Sequence, residues 1–279
     1  MKFSVLIANY NNGKFFKECY DSIIAQDYKN WEAIILDDAS TDDSVEVIKK
    51  LTGSDERFKI YRNEENSGVG ITKSKLIELA EGDICGFVDP DDAITPNALS
   101  SSIKIFQKQR NVVLTYSKFA KCDENLKILE VPKIAQQVIN NSPFFFNCPV
   151  NIVHFVCFRK GIYNQTEKMN TEMKIAEDQD LYLKMYEKGK VKFINEVNYL
   201  YRLHSGGISQ NDNRPKSREY FAKVIFNTMK RRKLSSINGK TIPKEYNSSQ
   251  EIYRLLEYQN SIAFKIKKKL IIFAQQIFS

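Results

Sequence analysis

Three carboxylates in four positions, Asp89-Pro90-Asp91-Asp92, follow directly on the apolar run Ile84-Cys85-Gly86-Phe87-Val88. Crowded like charges disfavour one another's ionised form, so such a cluster calls for a cation or for solvent. Mg2+ and Mn2+ prefer oxygen ligands, and Mg2+ is commonly held by one or two carboxylates together with substrate phosphates. The spacing therefore fits a metal–diphosphate site. It fits equally a solvated acidic turn ahead of a helix opening near Thr95-Pro96.

Other polar clusters end apolar runs in the same way. Asn9-Tyr10-Asn11 follows Phe3 to Ala8, and Asp37-Asp38 follows Glu32 to Leu36. Further strands are predicted over 58–61 and 112–116. Helical spacings fall at 14–26, from the capping run Ser40-Thr41-Asp42-Asp43 to about 51, at 68–80 and at 95–109. Repeated β-α-β units with near-continuous apolar strands imply a parallel sheet covered on both faces. Ligands of such sheets bind outside the carboxyl ends of the strands, so the three clusters are expected at one edge, as a nucleotide-type site. Residues 117–150 are irregular. Asn151 to Arg159 reads as a strand interrupted by His154, a histidine expected to be structural. A loop and helix cover 171–188, strands 191–194 and 197–203, and basic helices the residues beyond 211.

The chain has 279 residues, 42% of them hydrophobic and 27% charged, as in ordinary globular proteins. No signal peptide and no stretch of 18 apolar residues is found. Five cysteines without C-x-x-C spacing fit free thiols in a reducing cytoplasm rather than a disulfide framework or zinc site. With two histidines, His154 and His204, a histidine cluster is excluded, and neither G-x-S-x-G nor a P-loop is present. The net charge of +8 is uneven: residues 215–279 hold 14 Lys+Arg and 4 Asp+Glu, which leaves the body at −2. An acidic body is not expected to bind nucleic acid, which needs basic charge along its contact.

The ordered set of motifs resembles the inverting glycosyltransferases of family two. It comprises Asn9-Tyr10-Asn11, Ile35-Leu36-Asp37-Asp38-Ala39-Ser40-Thr41-Asp42, Asn66-Ser67-Gly68-Val69-Gly70, Gly82-Asp83-Ile84 leading to Asp89-Pro90-Asp91-Asp92, Glu177-Asp178-Gln179-Asp180-Leu181, and Tyr201-Arg202-Leu203-His204-Ser205-Gly206-Gly207-Ile208-Ser209. The resemblance spans roughly residues 3–209 and implies a GT-A fold with a Rossmann-like, mostly parallel central sheet. A catalytic domain is expected over 1–210 (donor half about 1–116, acceptor half about 117–210), followed by a basic helical extension over 211–279. Ala8 and Tyr10 would line a uracil pocket, with Asp38 accepting from the base and Asp37 fixing the loop. Asp89 would approach the ribose and Asp91 would bind Mn2+ or Mg2+, with His204 as a second contact to metal or diphosphate. Asp178 would be the catalytic base. Asp92, Glu177 and Asp180 are candidates for loop support or acceptor contact. Two departures stand out: Thr72-Lys73-Ser74 stands where Ala-Arg-Asn is common, with Lys73 a donor-binding candidate that would keep a positive charge near the donor, and Asn9 replaces a common proline. Gly206-Gly207 would free a turn to close over the donor.

The implied activity is transfer of a sugar from a nucleotide sugar, a UDP-sugar above all, to a glycan or lipid-linked acceptor in surface-polysaccharide synthesis. A sugar nucleotidyltransferase and a basic nucleic-acid-binding protein are the alternatives. In residues 262–279, Ile262, Ile266, Leu270, Phe273 and Ile277 share a helical face, with Lys265, Lys267, Lys268 and Lys269 around it. That pattern suits an interfacial helix on an anionic membrane, or a helix packed on protein. Met229 to Lys233 adds a second basic cluster. The expected location is the cytoplasm, at the inner face of the cell membrane.

Overall fold

The computed structural model describes residues 1–204 and 214–277. The elements run in chain order β1 (Phe3–Asn9), α1 (Phe16–Ile24), β2 (Trp31–Asp37), α2 (Ser44–Thr52), β3 (Phe58–Arg62), α3 (Val69–Leu79), β4 (Ile84–Phe87), β5 (Ala93–Ile94), α4 (Ala98–Lys108), β6 (Val112–Cys122), β7 (Ile128–Glu130), β8 (Cys157–Arg159), α5 (Lys160–Tyr163), α6 (Glu177–Tyr186), β9 (Lys190–Arg202), α7 (Arg214–Arg231), β10 (Ser236–Ile237), β11 (Lys240–Thr241), α8 (Ser249–Leu256) and α9 (Ile262–Ile277). The domain boundary expected near residue 210 lies outside the described residues.

One sheet organises the body, in the order β3-β2-β1-β4-β8-β6-β9-β5, with β7 on β6. The expected parallel pairing holds across β3, β2, β1 and β4. These strands are apolar because helices cover both faces. One cluster packs Phe3, Val5, Ile7, Ala33 and Ile35 against α1, α2 and α4. Another packs Leu6, Ile34 and Leu36 against α3 and α6.

Beyond β4 the sheet is mixed, which corrects the simple parallel expectation. β8 pairs antiparallel with both β4 and β6, while β6 and β9 run parallel. The strand expected over 151–159 is confined to Cys157–Arg159. Its earlier backbone is claimed by a side chain: Asn147 Oδ1 accepts the amides of Asn151 and Ile152, each at 2.9 Å. The two strands expected over 191–203 are one, β9, which absorbs the break with register shifts opposite Ser117 and Lys118. β5, β7 and the β10–β11 hairpin are too short for periodicity to reveal.

The C-terminal segment builds a satellite core from Phe146, Ile225, Phe226, Met229, Ile252 and Leu256. Helix α7 also meets α6 through Val224, Leu183 and Met173. Two arginines of the Met229–Lys233 cluster are spent within the fold. Arg231 Nε and Arg232 Nε bond Glu187 at 2.7 and 2.8 Å. All five cysteines are free thiols.

At the amino ends of the strands, the buried Glu32 carboxylate ties β2 to its neighbours. It accepts from Ser4 Oγ and Lys2 Nζ at 2.7 Å and the Glu81 amide at 2.7 Å, with Lys59 Nζ 3.0 Å away. Burial alone would raise its pKa, but these donors outweigh burial and hold it at about 2. Glu32→Gln should cost about 2 kcal/mol in urea denaturation at pH 7, a charged hydrogen-bond cluster discounted for its half-exposed lysines. The folded pKa lies below the ordinary 4.5, so the stabilisation is complete above pH 4.5 and lost as pH falls toward 2. The wild type and variant should therefore converge over that interval.

Candidate active site

The carboxyl ends of β1, β2 and β4 deliver the predicted clusters to one edge. Asn9 and Asp37 are register partners, and Asn9 Nδ2 donates to Asp37 Oδ1 at 2.7 Å. Asp37 also accepts the Ser40 amide at 2.9 Å, so its carboxylate is committed to the loop. Asp38 gathers the next segment. Its Oδ1 accepts Asn63 Nδ2 at 2.7 Å and the Ser67 amide at 2.9 Å, and its Oδ2 accepts the Gly68 amide at 2.8 Å. Gly68 has φ +84°, a left-handed conformation that favours glycine, and α3 starts at the next residue. Ala8 is half-buried near the end of β1. Tyr10 is 44% exposed and so is no core aromatic.

The acidic loop after β4 has three distinct environments. The Asp89 amide donates to Tyr199 Oη at 3.1 Å. Asp91 Oδ2 lies 2.8 Å from His204 Nε2, and His204 packs on the Phe15 ring with centroids 4.6 Å apart. Burial first and Asp89 second push the Asp91 carboxyl above its usual pKa, against the bond to His204. Asp92 is buried and accepts the Arg202 amide at 2.7 Å, so it supports the loop. Burial, then Asp89 and Asp91, drive its pKa well up.

Arg202 carries a role that the sequence reading missed. It is 1% exposed, its Nε donates to the Asp91 carbonyl at 2.6 Å, and its Nη1 donates to the Glu124 carbonyl. Its guanidinium also lies 4.7 Å from the Phe15 ring centroid. The signal available was a lone arginine closing an apolar strand two residues before His204.

Helix α6 brings the second acidic group. Glu177 and Asp178 occupy its first turn, after Ala176 in a left-handed conformation at φ 64°. Lys73 Nζ reaches across from α3 to Glu177 Oε1 at 3.0 Å. Burial would lower the Lys73 pKa, but Glu177, Asp89 and Asp178 outweigh it and hold the pKa above the ordinary value. One ammonium thus answers both Asp89 of the acidic loop and the Glu177-Asp178 pair. Asp178 is half-buried, with Oδ1 accepting the Gln179 amide at 2.8 Å. Burial and then Glu177 raise its pKa to about 6, against Lys73 and Gln179. Asp180 turns away: Lys184 lies 2.6 Å from its carboxylate and Arg231 3.7 Å, so it joins α6 to α7.

His154, expected to be structural, stacks on Tyr199 with centroids 4.6 Å apart and planes at 14°. Burial lowers its pKa, Asp89 opposes that and Lys73 adds to it, which sets the ring at the margin of the site. Gly206-Gly207 and the rest of 205–209 lie outside the described residues.

The residues present suit a divalent cation through two donors. Asp91 and His204 already converge, and the neighbouring acid Asp89 raises the cost of leaving Asp91 ionised without a cation. Among the described residues no group of three His, Cys, Asp or Glu side chains could hold a metal. Further ligands would come from phosphate oxygens, as is usual for Mg2+.

Comparison with known proteins gives one family. The chondroitin synthase of Pasteurella multocida strain Pm70 is 25% identical over 264 residues, 93% of this chain but 26% of the synthase. The chain thus spans about a quarter of that relative's length. The Escherichia coli protein WfaP, a UDP-Glc:alpha-D-GlcNAc-diphosphoundecaprenol beta-1,3-glucosyltransferase, is 29% identical over 209 residues, 75% of this chain and 80% of WfaP. Staphylococcus aureus TarS 1-349 in complex with UDP-GlcNAc has the same fold, with a TM-score of 0.69 over 92% of this chain and 70% of that one at 20% identity. The mannosyltransferase PcManGT of Pyrobaculum calidifontis, in complex with GDP-Man and Mn2+, gives a TM-score of 0.63 over 86% of this chain and 65% of its own at 16% identity. The profile of glycosyl transferase family 2 matches residues 4–166, more than half of the sequence, and the chain belongs to that family.

Proposed function

We propose that the protein is a metal-dependent, inverting glycosyltransferase that moves a sugar from a UDP-sugar to a glycan acceptor, lipid-linked, in surface-polysaccharide synthesis. The observation that carries this reading is the convergence of the Glu177-Asp178 turn on the acidic loop through Lys73, whose Nζ bonds Glu177 Oε1 at 3.0 Å and is held charged by Glu177, Asp89 and Asp178; burial pushes the Asp178 carboxyl up to about 6. A base poised near neutrality thereby stands beside a donor platform. The UDP-Glc used by WfaP and the UDP-GlcNAc bound to TarS support a UDP-sugar.

In this reading Tyr10 and Ala8 flank the base of the nucleotide and Asp38 accepts from it. Asp89 meets the ribose hydroxyls, and Asp91 with His204 would hold Mn2+ or Mg2+. The bound cation would neutralise charge on the departing diphosphate. Asp178 Oδ accepts the proton of the acceptor hydroxyl as that oxygen attacks the anomeric carbon from the face opposite the diphosphate. The new carbon–oxygen bond forms as the old one breaks, and UDP leaves with the bonding pair. Lys73 keeps Glu177 and Asp178 from repelling each other out of position. Asp92 and Arg202 hold the loop and take no part in proton transfer.

Asp178→Asn should retain UDP binding and lower turnover at least 100-fold, the low end of general-base contributions; near-normal turnover would remove Asp178 from the role. For the wild type, kcat/KM should rise with pH through about 6 and then level, since the ionised base is the active form. Lys73 lowers the Asp178 pKa, so Lys73→Met should move that acid limb to higher pH as well as reduce kcat. An unmoved limb would dissociate Lys73 from the base. UDP with Mn2+ should raise Tm by about 3 °C or more over UDP alone at saturating ligand. Asp91→Asn and His204→Ala should each abolish most of that increment, and its persistence in both would sink the metal assignment.

A further inference from the structure

Helix α9 is mounted inside out. Its half-buried residues are Phe264, Lys268, Ile271, Ile272 and Gln275, and its bonds to the body are polar. Lys268 Nζ donates to Asn151 Oδ1 at 2.9 Å, Gln275 Nε2 to the Asn140 carbonyl at 2.9 Å, and the Asn140 amide to Gln275 Oε1 at 3.0 Å. Lys268 is thus removed from the solvent-facing basic cluster that the sequence suggested, and burial lowers its pKa. On the opposite face Ile262, Ile266, Leu270, Phe273 and Ile277 are between 55% and 78% exposed. At 3.6 residues per turn they fall within an arc of about 80°. Lys265 and Lys269 border the arc on one side and Lys267 on the other, all exposed. Five large apolar side chains in one exposed stripe mark a contact surface.

We infer that α9 docks the protein on a lipid surface bearing anionic headgroups. The stripe enters the acyl boundary and Lys265, Lys267 and Lys269 lie at the headgroup level. Charge decides for lipid over a second copy of the chain. Two stripes packed face to face would oppose lysine rows, and α9 contains no Asp or Glu to pair with them. An anionic surface matches both edges of the stripe at once. No helix among the described residues is long and apolar enough to cross a membrane, so contact would be interfacial. The mounting also relates the surface to the site. Lys268 bonds Asn151, whose amide bonds Asn147, whose Nδ2 donates to Gln179 Oε1 at 2.7 Å, and Gln179 neighbours Asp178. A hydrogen-bonded path thus runs from the mounted face of α9 to the residue beside the proposed base. The docking itself does not depend on the glycosyl-transfer reading.

Flotation of the full chain with vesicles tests the inference. The wild type should float with phosphatidylcholine–phosphatidylglycerol vesicles, weakly with phosphatidylcholine alone, and progressively less as salt rises. Combined Ile266→Ser, Leu270→Ser and Phe273→Ser should weaken binding at least tenfold. Combined Lys265→Gln, Lys267→Gln and Lys269→Gln should weaken it about a hundredfold at low salt, from ~1 kcal/mol for each lysine near an anionic surface. All six positions are exposed, and an unchanged Tm checks that both variants fold. Failure of the wild type to float, equal flotation with neutral vesicles, or unweakened variants would overturn the proposal. So would a wild-type dimer in light scattering that the serine variant converts to monomer without any vesicle binding.

Discussion

Two cations, the buried Arg202 and the half-buried Lys73, make the acidic edge of this fold tenable. Asp89, Asp91, Asp92, Glu177 and Asp178 converge from a loop and a helix that are far apart in sequence. Lys73 faces three of them, and Arg202 is packed against the loop that carries the rest. Removing one member of a buried charge cluster leaves the others uncompensated, at a cost of ~3–5 kcal/mol in comparable pairs. The two cations also differ in kind. Arg202 bonds main-chain carbonyls and so fixes the path of the loop. Lys73 bonds a carboxylate and so sets the field inside the site. Shape and charge are thereby assigned to separate residues.

The same constraint explains why the carboxylates are not interchangeable. Asp92 is tied to the Arg202 amide and deeply buried, with its carboxyl pushed well above the usual range by burial and by Asp89 and Asp91, so it supports the loop. Asp91 is engaged with His204. Asp180 is spent on α7. Asp178 combines partial exposure with a carboxyl raised to about 6. Its place in the first turn of α6 would by itself favour the ionised form, because the amino end of a helix attracts negative charge. Burial and Glu177 overcome that preference.

Much of this was legible in the sequence because it depends on local pattern. Apolar runs that stop in polar clusters gave β1, β2 and β4 and brought Tyr10, Asp38 and Asp89 to one edge. The pairing of Asp91 with His204, 113 residues apart, followed from family motifs, since no periodicity links them. What stayed hidden depends on side chains acting on distant backbone. Asn147 took the hydrogen bonds that a longer β8 would have used. Arg202 lies in the motif that runs from Tyr201 to Ser209, but its burial against Phe15 and the Asp91 carbonyl is a tertiary fact. Lys73 read as a donor-binding candidate, yet its partner Glu177 lies 104 residues away. The α9 lysines read as one cluster until the mounting of the helix separated Lys268 from its neighbours.

A chain of contacts joins the two halves of the site through Asp38. Its carboxylate collects the Ser67 and Gly68 amides immediately before α3, and so sets where α3 begins. Lys73 lies in the second turn of that helix, and its reach to Glu177 depends on this start. Each carboxylate oxygen accepts about two hydrogen bonds. Asp38 Oδ1 is filled by Asn63 and Ser67, whereas Oδ2 holds the Gly68 amide and has room for one more donor. A ring N–H of a bound base could therefore be accepted without releasing α3. Replacing the carboxylate with an amide would supply one acceptor oxygen for three existing donors and turn the other position into a donor facing an N–H. A change at Asp38 should accordingly be felt at Lys73 and Asp178 as well as at the carboxyl edge of β2, because the position of the helix, and not a direct contact, connects them.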